Sequence, residues 1–74
     1  MDKKRKLEIG KRVEQIRITK LNCISKTRLA NEIGMSRQGL ALILTGSRAF
    51  SLESLIAFCE YANVSLDYVI YGKK

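Results

Sequence analysis

The chain has no proline, no histidine and no tryptophan, and only two cysteines. Without proline nothing forces a helix interior to break, which suits helices joined by short turns. The sequence also has no carboxylates paired at a useful spacing, no glycine-rich phosphate loop and no cluster of metal ligands. The side chains that carry most enzymatic chemistry are therefore missing, and neither catalysis nor a cofactor is expected. Cys23 and Cys59 are too far apart for a metal or redox motif. They read as two reduced thiols of a cytoplasmic protein. Apolar runs reach no further than that of Leu40 to Leu44, far short of a membrane span. No apolar stretch with a small-residue cleavage site follows the charged start, so no secretory signal is expected. Acidic residues are scarce: 7 against 14 lysines and arginines, a formal net charge of +7.

What is present is short and regularly patterned. Seventy-four residues with 46% hydrophobic content fit one small domain spanning 1–74. A chain of this size buries only about 60% of its unfolded surface, so its core must be small. The charge is uneven. Between Gln15 and Leu52 the only acid is Glu32, while Arg17, Lys20, Lys26, Arg28, Arg37 and Arg48 lie in the same stretch. Glu53, Glu60 and Asp67 follow it. Such a basic middle suits a face turned to a polyanion, although solubility alone would also use it. The opening run Lys3-Lys4-Arg5-Lys6 reads as part of a frayed basic end, residues 1–6, that touches phosphate on occasion.

Apolar spacing predicts a first helix over Leu7–Ile18, with Ile9, Val13 and Ile16 on one stripe and Gly10 beside it. Thr19 to Ser25 is a connection. Ser25 caps a second helix over about 26–33, which Gly34 ends. Ser36 caps a third over about 37–45, stopped by Gly46. Ser51 caps a fourth over about 52–62, whose expected inner stripe is Leu52, Leu55, Ile56 and Cys59. Ser65 caps a short fifth running to about Tyr71. No strand, repeat or linker is expected.

Residues 26–45 carry the strongest pattern. Two short helices meeting at a steep angle need a small residue at the crossing, a glycine in the turn and apolar residues at fixed offsets. Ala30 and Gly34 fill the first two roles; Leu29, Ile33, Met35, Leu40 and Ile43 are the apolar set. This is a helix-turn-helix pattern, which a simple helical corner would share. On the third helix, at about 100° per residue, Leu40, Ile43 and Leu44 gather on one arc. Arg37, Gln38, Ala41 and Thr45 share the opposite arc, without an acid. Arginine can grip guanine bidentately and glutamine can grip adenine. Ala41 lets the helix approach a groove floor. Leu42, at the edge of that arc, reads equally as a thymine-methyl contact or as packing. Gly39 in mid-helix is disfavoured by about 1 kcal/mol relative to alanine, and invites a close approach of backbone or DNA.

These motifs resemble the lambda-repressor-like helix-turn-helix family, the Cro and repressor group. The resemblance runs from Ile9 to about Gly72: Ile9-Gly10-Lys11-Arg12-Val13 through Arg17, Leu29-Ala30, Gly34-Met35-Ser36, Gly46, Ser51 to Leu55, and Val64 to Tyr68. It implies a compact all-α five-helix domain that binds double-stranded DNA, a homodimeric transcriptional regulator of phage or mobile-element repressor type. Arg37, Gln38 and Ala41 would face base edges. Ser25, Lys26, Thr27 and Ser36 would meet phosphate, and Thr45, Ser47 and Arg48 the backbone or the edge of the site. Apolar residues left over near the end, Phe58, Tyr68, Ile70 and Tyr71, are the expected dimer contacts. No membrane or small-molecule partner is expected. An interaction module acting on another regulator, as antirepressor or adaptor, is the alternative.

The departures are specific. Lys26 stands where many members have a phosphate-binding glutamine. Leu44 stands where many have a glutamate paired with the first-helix arginine, so Arg17 must pair elsewhere or face DNA. The first connection is longer than usual, and the chain reads as ending at Lys74 without a second domain.

Overall fold

A short polar side chain starts each of the five helices. In the computed structural model, which describes residues 2–73, Asp2, Ser25, Ser36, Ser51 and Ser65 adopt extended backbone. Each accepts a hydrogen bond from the amide three residues on, satisfying one of the donors a helix start leaves unpaired. The helices are α1 (Lys3–Ile18), α2 (Lys26–Glu32), α3 (Arg37–Leu44), α4 (Leu52–Ala62) and α5 (Leu66–Tyr71). Among the described residues there is no strand, and no helix is long and apolar enough to cross a membrane. The four serine caps fall at the expected positions.

The first helix starts earlier than expected. Asp2 accepts from the Arg5 amide at 2.7 Å, and residues 3–6 form the first turn of α1 instead of a frayed end. Met1 lies outside the described residues, as does Lys74. That turn is fastened to the other end of the chain. Arg5 Nη1 donates to the Ile70 carbonyl at 2.9 Å, and its guanidinium lies 4.8 Å from the Tyr71 ring centroid. One to two turns on, Arg12 Nη1 donates to the Val69 carbonyl at 2.6 Å. The two arginines thus satisfy carbonyls that the short α5 leaves open at its C-terminus.

The core draws on every helix. Ile9, Val13 and Ile16 of α1, Leu29 and Ala30 of α2, Leu40 and Ile43 of α3, Leu55, Phe58, Cys59 and Ala62 of α4, and Val69 of α5 are all buried, as is Ile33 at the end of α2. Burial pushes the Cys59 thiol up; Cys23, in the first connection, is exposed, and both cysteines are free. The expected stripe of α4 is corrected: Leu52 is 69% exposed and Ile56 40%, while Phe58 and Ala62 face inward. This helix is apolar on most of its circumference, so spacing alone does not single out its inner face. The large Phe58 ring, tilted against Phe50 at 6.0 Å between centroids, sets its rotation. Phe58 is fully buried and is therefore not a dimer contact.

Two close approaches fix α3. In the turn from α2, the Met35 amide donates to the Ala30 carbonyl at 2.9 Å, while Gly34 takes a φ of 75° that any other residue would adopt only at a cost. Ala30, 1% exposed, lies under this corner. On the far side α1 crosses the C-terminal end of α3 at Gly10. A Cβ there would stand 2.4 Å from the Ile43 carbonyl oxygen and 2.8 Å from that of Leu44. Gly46 repeats the arrangement one turn along, against Leu7.

Both contacts are testable by adding carbon. Ala30→Leu and Gly10→Ala force backbone elements apart, and overpacking of this kind costs typically about 1–3 kcal/mol. For a domain this small the melting temperature should fall by roughly 5–20 °C. Thermal unfolding followed by circular dichroism measures it. A midpoint for Ala30→Leu within a degree or two of the parent's would remove Ala30 from the crossing.

Candidate nucleic-acid interface

The surface that α2 and α3 leave open is built from the residues between Ser25 and Arg48. On α3, Arg37 and Gln38 are exposed in the first turn, Ala41 is half-buried one turn on, and Thr45 is exposed at the C-cap. The opposite side of the same helix is taken up by Leu40 and Ile43, at 0% and 2% exposure. The division of α3 into an outer and an inner arc is therefore as expected. Leu42 is 42% exposed, at the margin of the outer arc.

Ser25 and Thr27 are exposed at the start of α2 and Lys26 is half-buried there. The Ser25 hydroxyl accepts from the Arg28 amide at 3.1 Å, and the Ser36 hydroxyl from the Gly39 amide at 3.0 Å. Both hydroxyls are thereby held at the start of their helices, each with its own proton still to donate. Beyond α3, the Thr45 hydroxyl donates to the Leu42 carbonyl at 3.1 Å and lies 3.2 Å from that of Ser47. Ser47 and Arg48 are exposed in the loop that follows.

Four cations are engaged within the fold; among the described residues, those left free are the lysines of α1, Lys73 and the four on the α2–α3 corner. Arg5 and Arg12 are bound to α5 carbonyls, and Lys20 Nζ donates to the Asn63 carbonyl at 2.8 Å. Arg17 pairs with Glu14 and donates to the Ile24 carbonyl at 2.7 Å, so it does not face outward. By contrast, no hydrogen bond or ion pair engages the side chains of Lys26, Arg28, Arg37 and Arg48 among the described residues. A cluster of uncommitted cations on one helical corner creates a positive potential, against which Glu32 is the one acid between Gln15 and Leu52. Arg28 is the residue of this group that was not assigned to the site. Its signal was its place in the first turn of α2, two residues after Lys26.

The surface around α4 and α5 is different. With Phe58 inside, Tyr68 and Ile70 are half-buried, and Tyr71 is 54% exposed beside Arg5. A shallow apolar groove lies nearby, lined by Ile56, Cys59, Glu60, Asn63, Val64 and Leu66.

Comparison with known proteins agrees with this geometry. A sequence model of the helix-turn-helix family matches residues 13–69, which include α2 to α4 in full, the C-terminal part of α1 and most of α5. No curated protein and no solved structure matches the chain. The family match, the all-helical fold and the corner formed by Ala30, Gly34 and Met35 have one conclusion: the chain belongs to the lambda-repressor-like helix-turn-helix family of DNA-binding regulators.

Proposed function

We propose that this regulator is a repressor of phage or mobile-element type, acting in the cytoplasm as a homodimer that reads the major groove with α3. One observation carries the reading: among the described residues, Lys26, Arg28, Arg37 and Arg48 make no hydrogen bond or ion pair within the fold and flank an exposed outer arc of α3 that holds no acid. Arg37, Gln38 and Ala41 face base edges. Leu42 at the margin meets a thymine methyl. Lys26, with the Ser25, Thr27 and Ser36 hydroxyls, meets phosphate, as does the adjacent Arg28. The unpaired amides of the first turn of α2 add donors that need no particular side chain. Thr45, Ser47 and Arg48 follow the strand that borders the groove. An outer arc without an acid favours DNA over a protein partner.

One such domain spans only a few base pairs, and the homodimer doubles the site. Tyr68, Ile70 and Tyr71 remain contact residues, joined by Leu52, Ile56 and Leu66, whose exposure leaves apolar area uncovered on α4 and α5. A two-fold contact there would set two recognition helices roughly 34 Å apart, one turn of DNA. Sedimentation at tens of micromolar, with and without palindromic DNA, should show a dimer on the duplex. A strict monomer on each half-site would contradict it.

Positioning and reading separate by mutation. Lys26→Ala removes a phosphate contact, so binding should weaken by a similar factor on every duplex and the salt slope should fall by about one unit. Gln38→Ala carries no charge change. It should cost about 1–3 kcal/mol on the best site and relax preference at one or two base pairs. Titrations against a site selected from random DNA and a scrambled duplex, at several salt concentrations, measure both effects. If Gln38→Ala leaves the preference unchanged, α3 is not docked through that residue. If no sequence is enriched from the random pool, the adaptor reading takes over.

A further inference from the structure

Gly39 is buried in the first turns of α3, beside Leu40 and one turn before Ile43, while Arg37 and Gln38 are exposed. The side chains around it are those of Met35, Ser36 and Arg48. A Cβ at Gly39 would stand 3.1 Å from Ser36 Oγ, 3.3 Å from Arg48 Nη1 and 3.5 Å from Met35 Cε. The Arg48 contact is the informative one. Arg48 belongs to the loop beyond the C-terminal end of α3, where the Ser47 amide returns to the Leu42 carbonyl at 2.9 Å. Its guanidinium nevertheless reaches back to the first turns of the helix. The same residues border a cleft of about 410 Å³ between the turn, α3 and the start of α4.

Nothing in the fold repays this placement electrostatically. No hydrogen bond or ion pair engages Arg48 among the described residues, and the N-terminal end of a helix disfavours a cation. A guanidinium is flat, and it can lie against bare backbone while its donors stay free at the edge. A methyl group at position 39 would stand closer to the guanidinium than ordinary van der Waals contact and would displace it from this position. A glycine inside a helix is disfavoured relative to alanine, so Gly39 is better explained by what lies on it than by α3 itself.

We infer that Gly39 is a positioning residue for DNA binding: its bare backbone is the seat that holds the Arg48 guanidinium against the flank of α3. There Arg48 meets a phosphate of the strand beside the bases that Arg37 and Gln38 read. The long side chain is ordered before DNA arrives, so binding does not bear the full cost of ordering it. This rests on the groove-reading role of α3 proposed above, and extends it to a residue that touches no base.

A double-mutant cycle tests it. The parent, Gly39→Ala, Arg48→Ala and the double variant are titrated against the selected duplex over a salt series, with folding checked by circular dichroism. Arg48→Ala should weaken binding and lower the salt slope by about one unit. Gly39→Ala should weaken the parent about two- to tenfold, the range that ordering one long side chain represents. In the Arg48→Ala background the same change should have no effect. Equal losses in both backgrounds, or no loss in the parent, overturn the proposal. Arg48→Lys decides the matter even if Gly39→Ala does not fold. It keeps the charge but not the flat face, and should also bind more weakly; parent-like binding would show that charge alone suffices and that there is no seat. A parent that binds no duplex overturns the groove-reading role itself, and is told apart because the loss precedes any substitution.

Discussion

The recognition helix is held from behind by a contact between backbones. At Gly10, α1 lies directly on the carbonyls of Ile43 and Leu44, with no room for a Cβ, and Gly46 meets Leu7 in the same way. Many relatives are expected to join these elements through an ion pair between a first-helix arginine and a third-helix glutamate. Here the glutamate position is Leu44, which packs on the core, and Arg17 turns to Glu14 and the Ile24 carbonyl. Close packing holds the two elements together without a charged link. Contact at van der Waals distance tolerates no added carbon, whereas a solvated ion pair adds little stability and yields to salt. The orientation of the outer arc of α3 depends on it.

The same economy governs the cations. Arg5 and Arg12 satisfy the open end of a six-residue helix that has few hydrogen bonds of its own. Lys20 and Arg17 fasten the first connection to its surroundings. These residues stabilise the fold, while positive charge stays free on the α2–α3 corner and on the lysines of α1. Affinity on such a surface depends strongly on salt, since each phosphate neutralised releases counterions.

Much of this was legible in the sequence, and the failures have physical causes. The four serine caps and the Ala30–Gly34–Met35 corner were readable because each role admits few residue types. Asp2 was overlooked as a cap, so four lysines and arginines looked like a frayed end; their helix is visible only once Arg5 finds the Ile70 carbonyl 65 positions away. Phe58 was assigned to the surface because α4 is apolar nearly all round, and its inner face is chosen by Phe50 and the rest of the core rather than by period. The covering of Gly39 by Arg48 is a contact between a helix and the loop beyond it, which no local spacing encodes.

The central claim is that α3 enters the major groove with Arg37, Gln38 and Ala41 toward the bases. Amide chemical shifts, followed residue by residue as a selected palindromic duplex is added, test it most directly. Groove reading predicts that the largest changes fall on residues 25–28 and 36–48, with α1 between Arg5 and Arg12 little affected. An α3 whose amides do not move, while the duplex perturbs α4 and α5 alone, would contradict it.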